Sequence, residues 1–406
     1  MPKDIVVCCD GTGNEIGTNI SNVLKLFRVL EKSDEQRVYY HPGVGTIGLQ
    51  STWRRFKQEA RSVFSLATGA GLDQDVLGGY RFLCENYEEG DRVFLFGFSR
   101  GAYTVRVLAA FIYVMGLLPR DQIDLAGYAF SAYKEASSDS QRSGDGPDDS
   151  KLREAWHFRQ IAEGRLIQIE FIGVWDTVAS VIVPRPDDLR FDMQTLRFTR
   201  TNNSVKKFRQ AMSIDERRRM FRLNRWKEPQ GYRSNRFDPA TETEQDVRQV
   251  WFAGVHGDVG GGYPEVESGL SKFPLLWMIE QARAAGLRMS QSMIDHLVWG
   301  LPRPGSNHNY VPPDAMGQMH VSLKGAWWIL EFLPKRAKWK EWPGRKTILG
   351  WYLPMGEPRP IPEGAILHRS VLERQAKDPT YRPINLPKAY QIEEITPPPA
   401  PAVVAA

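Results

Sequence analysis

The pentapeptide Gly97-Phe98-Ser99-Arg100-Gly101 constrains this 406-residue chain more than any other stretch. It separates Arg92-Val93-Phe94-Leu95-Phe96 from residues 102–118, which are apolar apart from a few residues such as Arg106. The first run has the length and composition of a buried strand, the second those of a buried helix. A G-x-S-x-G at such a junction is a sharp strand-to-helix turn that lifts the serine hydroxyl above the sheet edge. Its two glycines remove Cβ atoms that would collide there. The helix N-terminus behind the serine favours negative charge, as an oxyanion requires. Ser99 is therefore expected to be a nucleophile. The alternative is a glycine-flanked turn without chemistry.

Apolar runs alternate with helical periodicity along the rest of the chain. Residues 5–9, 37–40, 92–96, 166–174 and 247–255 read as strands. Residues 21–30, 71–89, 102–118 and 273–285 read as helices. The alternation predicts an α/β fold, a mostly parallel sheet with helices on both faces, and the G-x-S-x-G junction makes the α/β-hydrolase type the expectation. Residues 1–300 are the expected catalytic domain. Residues 183–245 are read as an insertion carrying a helix over 211–221, residues 301–395 as a Trp- and Pro-rich extension packed on the core, and 396–406 as a disordered tail. The polar stretch 136–150 reads as a mobile loop.

Active sites of parallel sheets lie at the carboxyl ends of the strands. Ser99, Asp176 and His256 each follow a predicted strand, in the chain order Ser, acid, His of the α/β-hydrolases. His256 would take the Ser99 proton as the hydroxyl attacks an ester carbonyl, and Asp176 would hold the imidazole. Asp258 is the rival acid, and His41 and His368 are the alternative bases. The backbone N–H of Arg100 is the first expected oxyanion donor, with Gly11 or Thr12 supplying the second. Asp10 and Asp258 are pocket-lining candidates. Asp10 could equally close an Asx-turn.

Other motifs carry less. The G-x-G-x-x-G at residues 43–48 follows a proline and has no ribose-binding acid where one is needed, so dinucleotide binding is not expected. The glycines at 254–262 lack the Lys-Ser/Thr of a phosphate loop. Three cysteines, Cys8, Cys9 and Cys84, give neither a disulfide framework nor metal spacing. No cofactor and no metal is expected. A net charge of +5 tolerates an anionic surface, but no nucleic-acid motif accompanies it. The charged run 213–219 reads as a helical stretch with local ion pairs, solvated or internally paired, or else facing an anionic headgroup. Five tryptophans interleave with six basic residues over 325–352, a pattern that suits either a membrane surface or an aromatic subdomain with a basic rim. No signal peptide or membrane-spanning segment is read, which gives a cytoplasmic default.

Several segments together resemble one family. They are Cys9-Asp10-Gly11-Thr12-Gly13-Asn14, Pro42-Gly43-Val44-Gly45-Thr46, Gly97-Phe98-Ser99-Arg100-Gly101-Ala102, Val174-Trp175-Asp176-Thr177-Val178, Ser213-Ile214-Asp215-Glu216-Arg217-Arg218, and the run from Val250 to Gly261. This set resembles the uncharacterised α/β-hydrolase family that includes the catalytic domain of type VI secretion phospholipase effectors. The resemblance covers about residues 4–285. It implies a Ser-Asp-His hydrolase of lipid esters and carries Ser99, Asp176 and His256 to the triad. It also implies compatibility with type VI export, and an immunity protein as partner if the chain is an effector. A small-substrate carboxylesterase or thioesterase, and a non-catalytic binding module on a hydrolase fold, are the alternatives.

Overall fold

The computed structural model describes residues 2–11, 19–43, 71–138, 150–178, 196–325 and 327–395, with the backbone of 182–184 and 191–193. Thr12, most of the glycine repeat at 43–48, most of the polar stretch 136–150 and the tail from Thr396 lie outside the described residues.

Eight strands form one sheet: β1 (Asp4–Cys9), β2 (Gln36–His41), β3 (Arg92–Phe98), β4 (Ile169–Trp175), β5 (Val205–Ser213), β6 (Asp246–Phe252), β7 (Ala365–His368) and β8 (Tyr390–Glu393). Their order is β8-β7-β6-β5-β4-β3-β1-β2. The β1–β2, β1–β3, β3–β4, β6–β7 and β7–β8 pairs are parallel. Around the sheet stand α1 (Asn22–Val29), α2 (Leu72–Asn86), α3 (Arg100–Met115), α4 (Ala126–Ser138), α5 (Ser150–Ile161), α6 (His256–Gly260), α7 (Lys272–Ala284) and α8 (Arg369–Lys377). This is the expected α/β-hydrolase-like class.

The chain divides into two compact units. The first comprises residues 1–16, 32–210 and 220–248, the second residues 17–31, 211–219 and 249–406. In the first unit, β3 is buried on both faces. Val93 and Leu95 join the main apolar core with Val7, Ile172 and side chains of α2 and α3. Phe94 and Phe96 point the other way and pack on Phe171, with ring centroids 6.4 and 5.4 Å apart. A strand covered on both faces must be apolar throughout rather than alternating, which is how β3 reads. Cys8, Cys9 and Cys84 are buried free thiols, and burial pushes the Cys84 thiol up to about 11.

Arg106, the basic residue within the apolar run, is fully buried. Its guanidinium donates to the carbonyls of Thr199 (2.7 Å) and Asn224 (2.6 Å) and lies beside the stacked rings of Phe208 and Trp226. It thereby ties α3 to the segment that flanks β5. Burial and, to a lesser extent, the nearby Arg200 together lower its pKa to about 9, so it remains a cation at neutral pH.

In the second unit, Ser21 caps α1 by accepting from the Leu24 N–H at 3.1 Å. The Asn22 amide of the same helix donates to the carbonyls of Val259 and Ser271, both at 2.9 Å. Buried Lys25 and Lys272 share the Glu265 carboxylate at 2.8 and 2.6 Å.

Three expectations fail in detail. The helix expected over residues 211–221 is absent: its first residues belong to strand β5, and a short 3-10 turn follows at Arg219–Phe221. The charged run 213–219 is likewise not helical. Its Glu216 pairs with Arg218 two residues on, so the internally paired reading holds without the helix. Residues 365–368 and 390–393, inside the stretch read as an extension, are strands β7 and β8 of the sheet.

Candidate active site

In the first unit, Phe98 and Trp175 are register partners on β3 and β4. Ser99 and Asp176 are the next residues on each strand, so the pairing brings them side by side. Two backbone bonds hold the junction: Ser99 N–H donates to the Trp175 carbonyl at 3.1 Å, and Val178 N–H donates to the Ser99 carbonyl at 3.4 Å. Both residues have left-handed backbones, Ser99 at φ 58° and Asp176 at φ 40°. Such geometry costs a non-glycine residue about 1–3 kcal/mol, and it persists only where the surroundings enforce it.

The enforcement is visible at the glycines. A Cβ on Gly101 would come within 2.1 Å of the Cys9 carbonyl oxygen and 2.5 Å of that of Asp10. A Cβ on Gly97 would come within 2.4 Å of the Gly101 carbonyl oxygen. The β3 turn therefore presses directly on the end of β1. Ser99 stands at the N-cap of α3, and Arg100 is its first helical residue. N–H groups of a first helical turn have no partner within their own helix.

The loop after β1 is held by its acid. Asp10 accepts the Gly11 N–H at 2.6 Å through Oδ1 and the Tyr40 hydroxyl at 2.8 Å through Oδ2. Gly43 crosses here, where its Cβ would lie 2.7 Å from the Gly11 carbonyl oxygen. Its N–H donates to His41 Nδ1 at 3.2 Å. The other ring nitrogen, Nε2, faces Asp75 Oδ1 at 3.7 Å. Asp75 also lies 3.9 Å from Arg100. Burial raises the Asp75 pKa, while His41 and Arg100 oppose the rise. Asp75 escaped the sequence reading, yet a signal existed: it falls on the apolar stripe of α2 with Leu72, Val76, Gly79, Tyr80 and Leu83, and an acid there needs a partner.

In the second unit, His256 is the first residue of α6 and is 6% exposed. Its N–H donates to Glu216 Oε2 at 3.3 Å. Glu216 is buried and also accepts from Arg218 and from the Ser322 hydroxyl at 2.8 Å. Burial opposes its charge, but Arg218, with Arg359 and His256, outweighs burial and holds its pKa down to about 2. Asp258 grips the same turn from inside. Its Oδ2 accepts the Val255 N–H at 3.0 Å and the His320 N–H at 3.2 Å, and its Oδ1 meets His320 Nδ1 at 2.6 Å. Gly254, at φ 108°, leaves the space: a Cβ there would lie 2.4 Å from that of Asp258.

His320 was not among the sequence candidates. It lies between Asp258 and Glu267, with Nε2 at 2.9 Å from the latter, and stacks on Tyr263 at 3.5 Å between centroids. Burial disfavours its charged form, but the two carboxylates outweigh burial and raise its pKa. His368 is of the opposite kind. It caps α8 through Nδ1 and packs on Phe252, and burial lowers its pKa to about 3. Thr12 lies outside the described residues. Among the described residues, no group of His, Cys, Asp and Glu could hold a metal ion. No helix among them is long and apolar enough to cross a membrane.

Comparison with known proteins follows the same segments. The family described as "T6SS, Phospholipase effector Tle1-like, catalytic domain" matches residues 3–281. The uncharacterized protein YEL023C of Saccharomyces cerevisiae is 33% identical over 235 residues, which is 54% of this chain and 32% of that protein. Among solved structures, an uncharacterized protein from Pseudomonas aeruginosa aligns at 19% identity and TM-score 0.36 over 71% of this chain and 46% of its own. A Tle1 effector bound to the VgrG spike aligns at 17% identity and TM-score 0.33 over 66% of this chain and 52% of its own. The chain thus spans about a third of the curated relative's length.

Proposed function

The chain belongs to the Tle1-like type VI secretion phospholipase effector family, catalytic domain, and on that premise we propose that it is a serine hydrolase of lipid acyl esters. The observation that carries the reading is the Ser99 backbone: a non-glycine residue at φ 58°, at a strand–helix junction, between two glycines with no room for a Cβ. A structure maintains such strain where it has a use.

Ser99 Oγ attacks the acyl carbonyl. His256 takes its proton and returns it to the leaving alcohol, and Asp176 orients the imidazole and stabilises its charge. Water then attacks the acyl-enzyme with the same base. Asp176 is favoured over Asp258 because it follows the register partner of Phe98, whereas both Asp258 oxygens are already engaged by Val255 and His320. The Arg100 N–H is the first oxyanion donor, and the loop of Gly11 and Thr12 supplies the second. Because Gly11 N–H is taken by Asp10, this second donor requires that bond to exchange for the oxyanion or the next amide to serve. Type VI export, and neutralisation by an immunity protein, extend the same reading.

The test is fluorophosphonate labelling combined with release of fatty acid from phospholipid vesicles. Wild type should label and hydrolyse. Ser99→Ala should do neither, and His256→Ala and Asp176→Asn should lose about 10³-fold or more in kcat. Labelling that survives in Ser99→Ala would sink the assignment. Labelling without any release from vesicles, alongside turnover of a short soluble ester, would replace the lipid substrate with a small one.

A further inference from the structure

Nine of the twenty exposed large apolar side chains among the described residues fall within residues 328–355 of the second unit. Scattered exposed apolar residues are ordinary, but a concentration within one short stretch makes that stretch the candidate for a binding surface. Its sharpest point is a hairpin. The short strands Lys335–Arg336 and Trp351–Tyr352 pair antiparallel. Ile348 and Trp351 close a tight turn, exchanging N–H to carbonyl bonds of 2.8 and 2.9 Å. At its tip, Leu349 has φ 49° and Gly350 φ 78°. Two successive positive φ values define a turn that favours Asn-Gly. Here the first position is a leucine, 94% exposed, flanked by Ile348 at 73% and Trp351 at 41%. A leucine gains nothing from that backbone and nothing from water.

The foot of the hairpin is fixed. Tyr352 is buried, and its hydroxyl accepts from Arg219 Nε at 2.9 Å. Residues 327–355 contain two acids, and both face Arg219: Glu331 accepts its N–H at 2.6 Å, and Glu341 lies 3.2 Å from Nη1. The exposed charges of the stretch are therefore cations, Arg336, Lys338 and Lys346. Arg336 lies over the Trp351 ring at 5.9 Å and Lys338 over Trp339 at 4.9 Å. An exposed apolar tip on a hydrogen-bonded turn, an aromatic collar and exposed basic side chains match the layers of a bilayer surface: acyl chains, interface and anionic headgroups.

We propose that the hairpin tip at residues 348–351 inserts into anionic lipid bilayers and docks the protein on its substrate surface. The choice of a bilayer as occupant rests on the lipid-ester reading, but the docking does not require Ser99. The test uses the full chain carrying Ser99→Ala, sedimented with vesicles of phosphatidylcholine alone or with phosphatidylglycerol. Binding should favour the anionic vesicles and weaken with salt. Leu349→Asn, which suits the turn while removing the apolar tip, should weaken binding by about tenfold or more. Lys346→Glu should weaken it on anionic vesicles by a similar factor. In the otherwise wild-type protein, with Ser99 intact, Leu349→Asn should leave turnover of a short soluble ester unchanged.

Vesicle binding that is the same in Leu349→Asn overturns the proposal. So does wild type that labels and hydrolyses soluble ester yet does not bind vesicles, an outcome that leaves the hydrolase reading standing. Self-association abolished by Leu349→Asn, without vesicle binding, would reassign the tip to an interface between copies. Vesicle binding without fluorophosphonate labelling would support the docking and remove the hydrolase.

Discussion

Gly101 occupies a site where two backbone carbonyls leave no room for a methyl group. Gly101→Ala must push the end of β1 away from the Ser99 turn. It is expected to cost about 3 kcal/mol or more, seen as a lower urea midpoint, and to abolish labelling in whatever protein remains folded. Arg106 makes the complementary case. Its guanidinium makes three hydrogen bonds to Thr199 and Asn224, both buried. Arg106→Leu keeps the apolar bulk but strands the buried Thr199 carbonyl and leaves that of Asn224 only the 3.3 Å bond from Gln210, so a loss of about 2–4 kcal/mol is expected by urea unfolding. A change below about 0.5 kcal/mol would show that those carbonyls find other partners.

At the scale of elements, the turn that begins α6 is clamped twice by the segment around residue 320. His320 holds Asp258, and Ser322 holds Glu216, which in turn takes the His256 N–H. These residues position rather than react. On the proposed triad, in which His256 is the base, His320→Gln should therefore lower kcat by up to about a hundredfold with KM nearly unchanged, because small displacements of a catalytic base are amplified in rate. Its pH signature has a definite sign. A raised pKa means that the His320 contribution is fully present below the ordinary value of 6.5 and is lost as pH rises through the folded value. Wild type should lose melting temperature over that window, and His320→Gln should lose less of it. An identical alkaline slope in the two proteins would rule out the clamp as a charged one.

Across the whole molecule, two groups set the acid limit from the other side. Glu216 is held down to about 2, so its contribution is present above the ordinary 4.5 and lost as pH falls through 2. His368 is buried neutral with its pKa lowered to about 3, so the unfolded chain takes up its proton first as pH falls below 6.5. Stability should fall from pH 6.5 downward. His368→Asn, which keeps a capping oxygen at the start of α8, should flatten the slope between pH 6.5 and about 3 in urea midpoints.

What could be read from the chain, and what could not, divides along one physical line. Periodicity and turn chemistry are local, so β1, β2, β3, β4, β6 and the helices α1, α2, α3 and α7 were legible, and the strained Ser99 junction announced itself by its glycines. Strand β5 is read in the sequence as part of an insertion, with its last residues opening a helix, because its buried Arg209 and Gln210 look like surface residues. Their partners, Asp246 and Asn224, lie 37 and 14 residues away. Asp75 and His320 were missed for the same reason: a polar side chain is informative only once its partner is known. Sequence by itself determined where the backbone turns and which runs must be buried, because sterics and hydrophobicity act residue by residue. Tertiary structure alone decided that Asp258 meets His320 across 62 residues and that Ser322 meets Glu216 across 106, because hydrogen bonds and ion pairs have no preferred sequence distance.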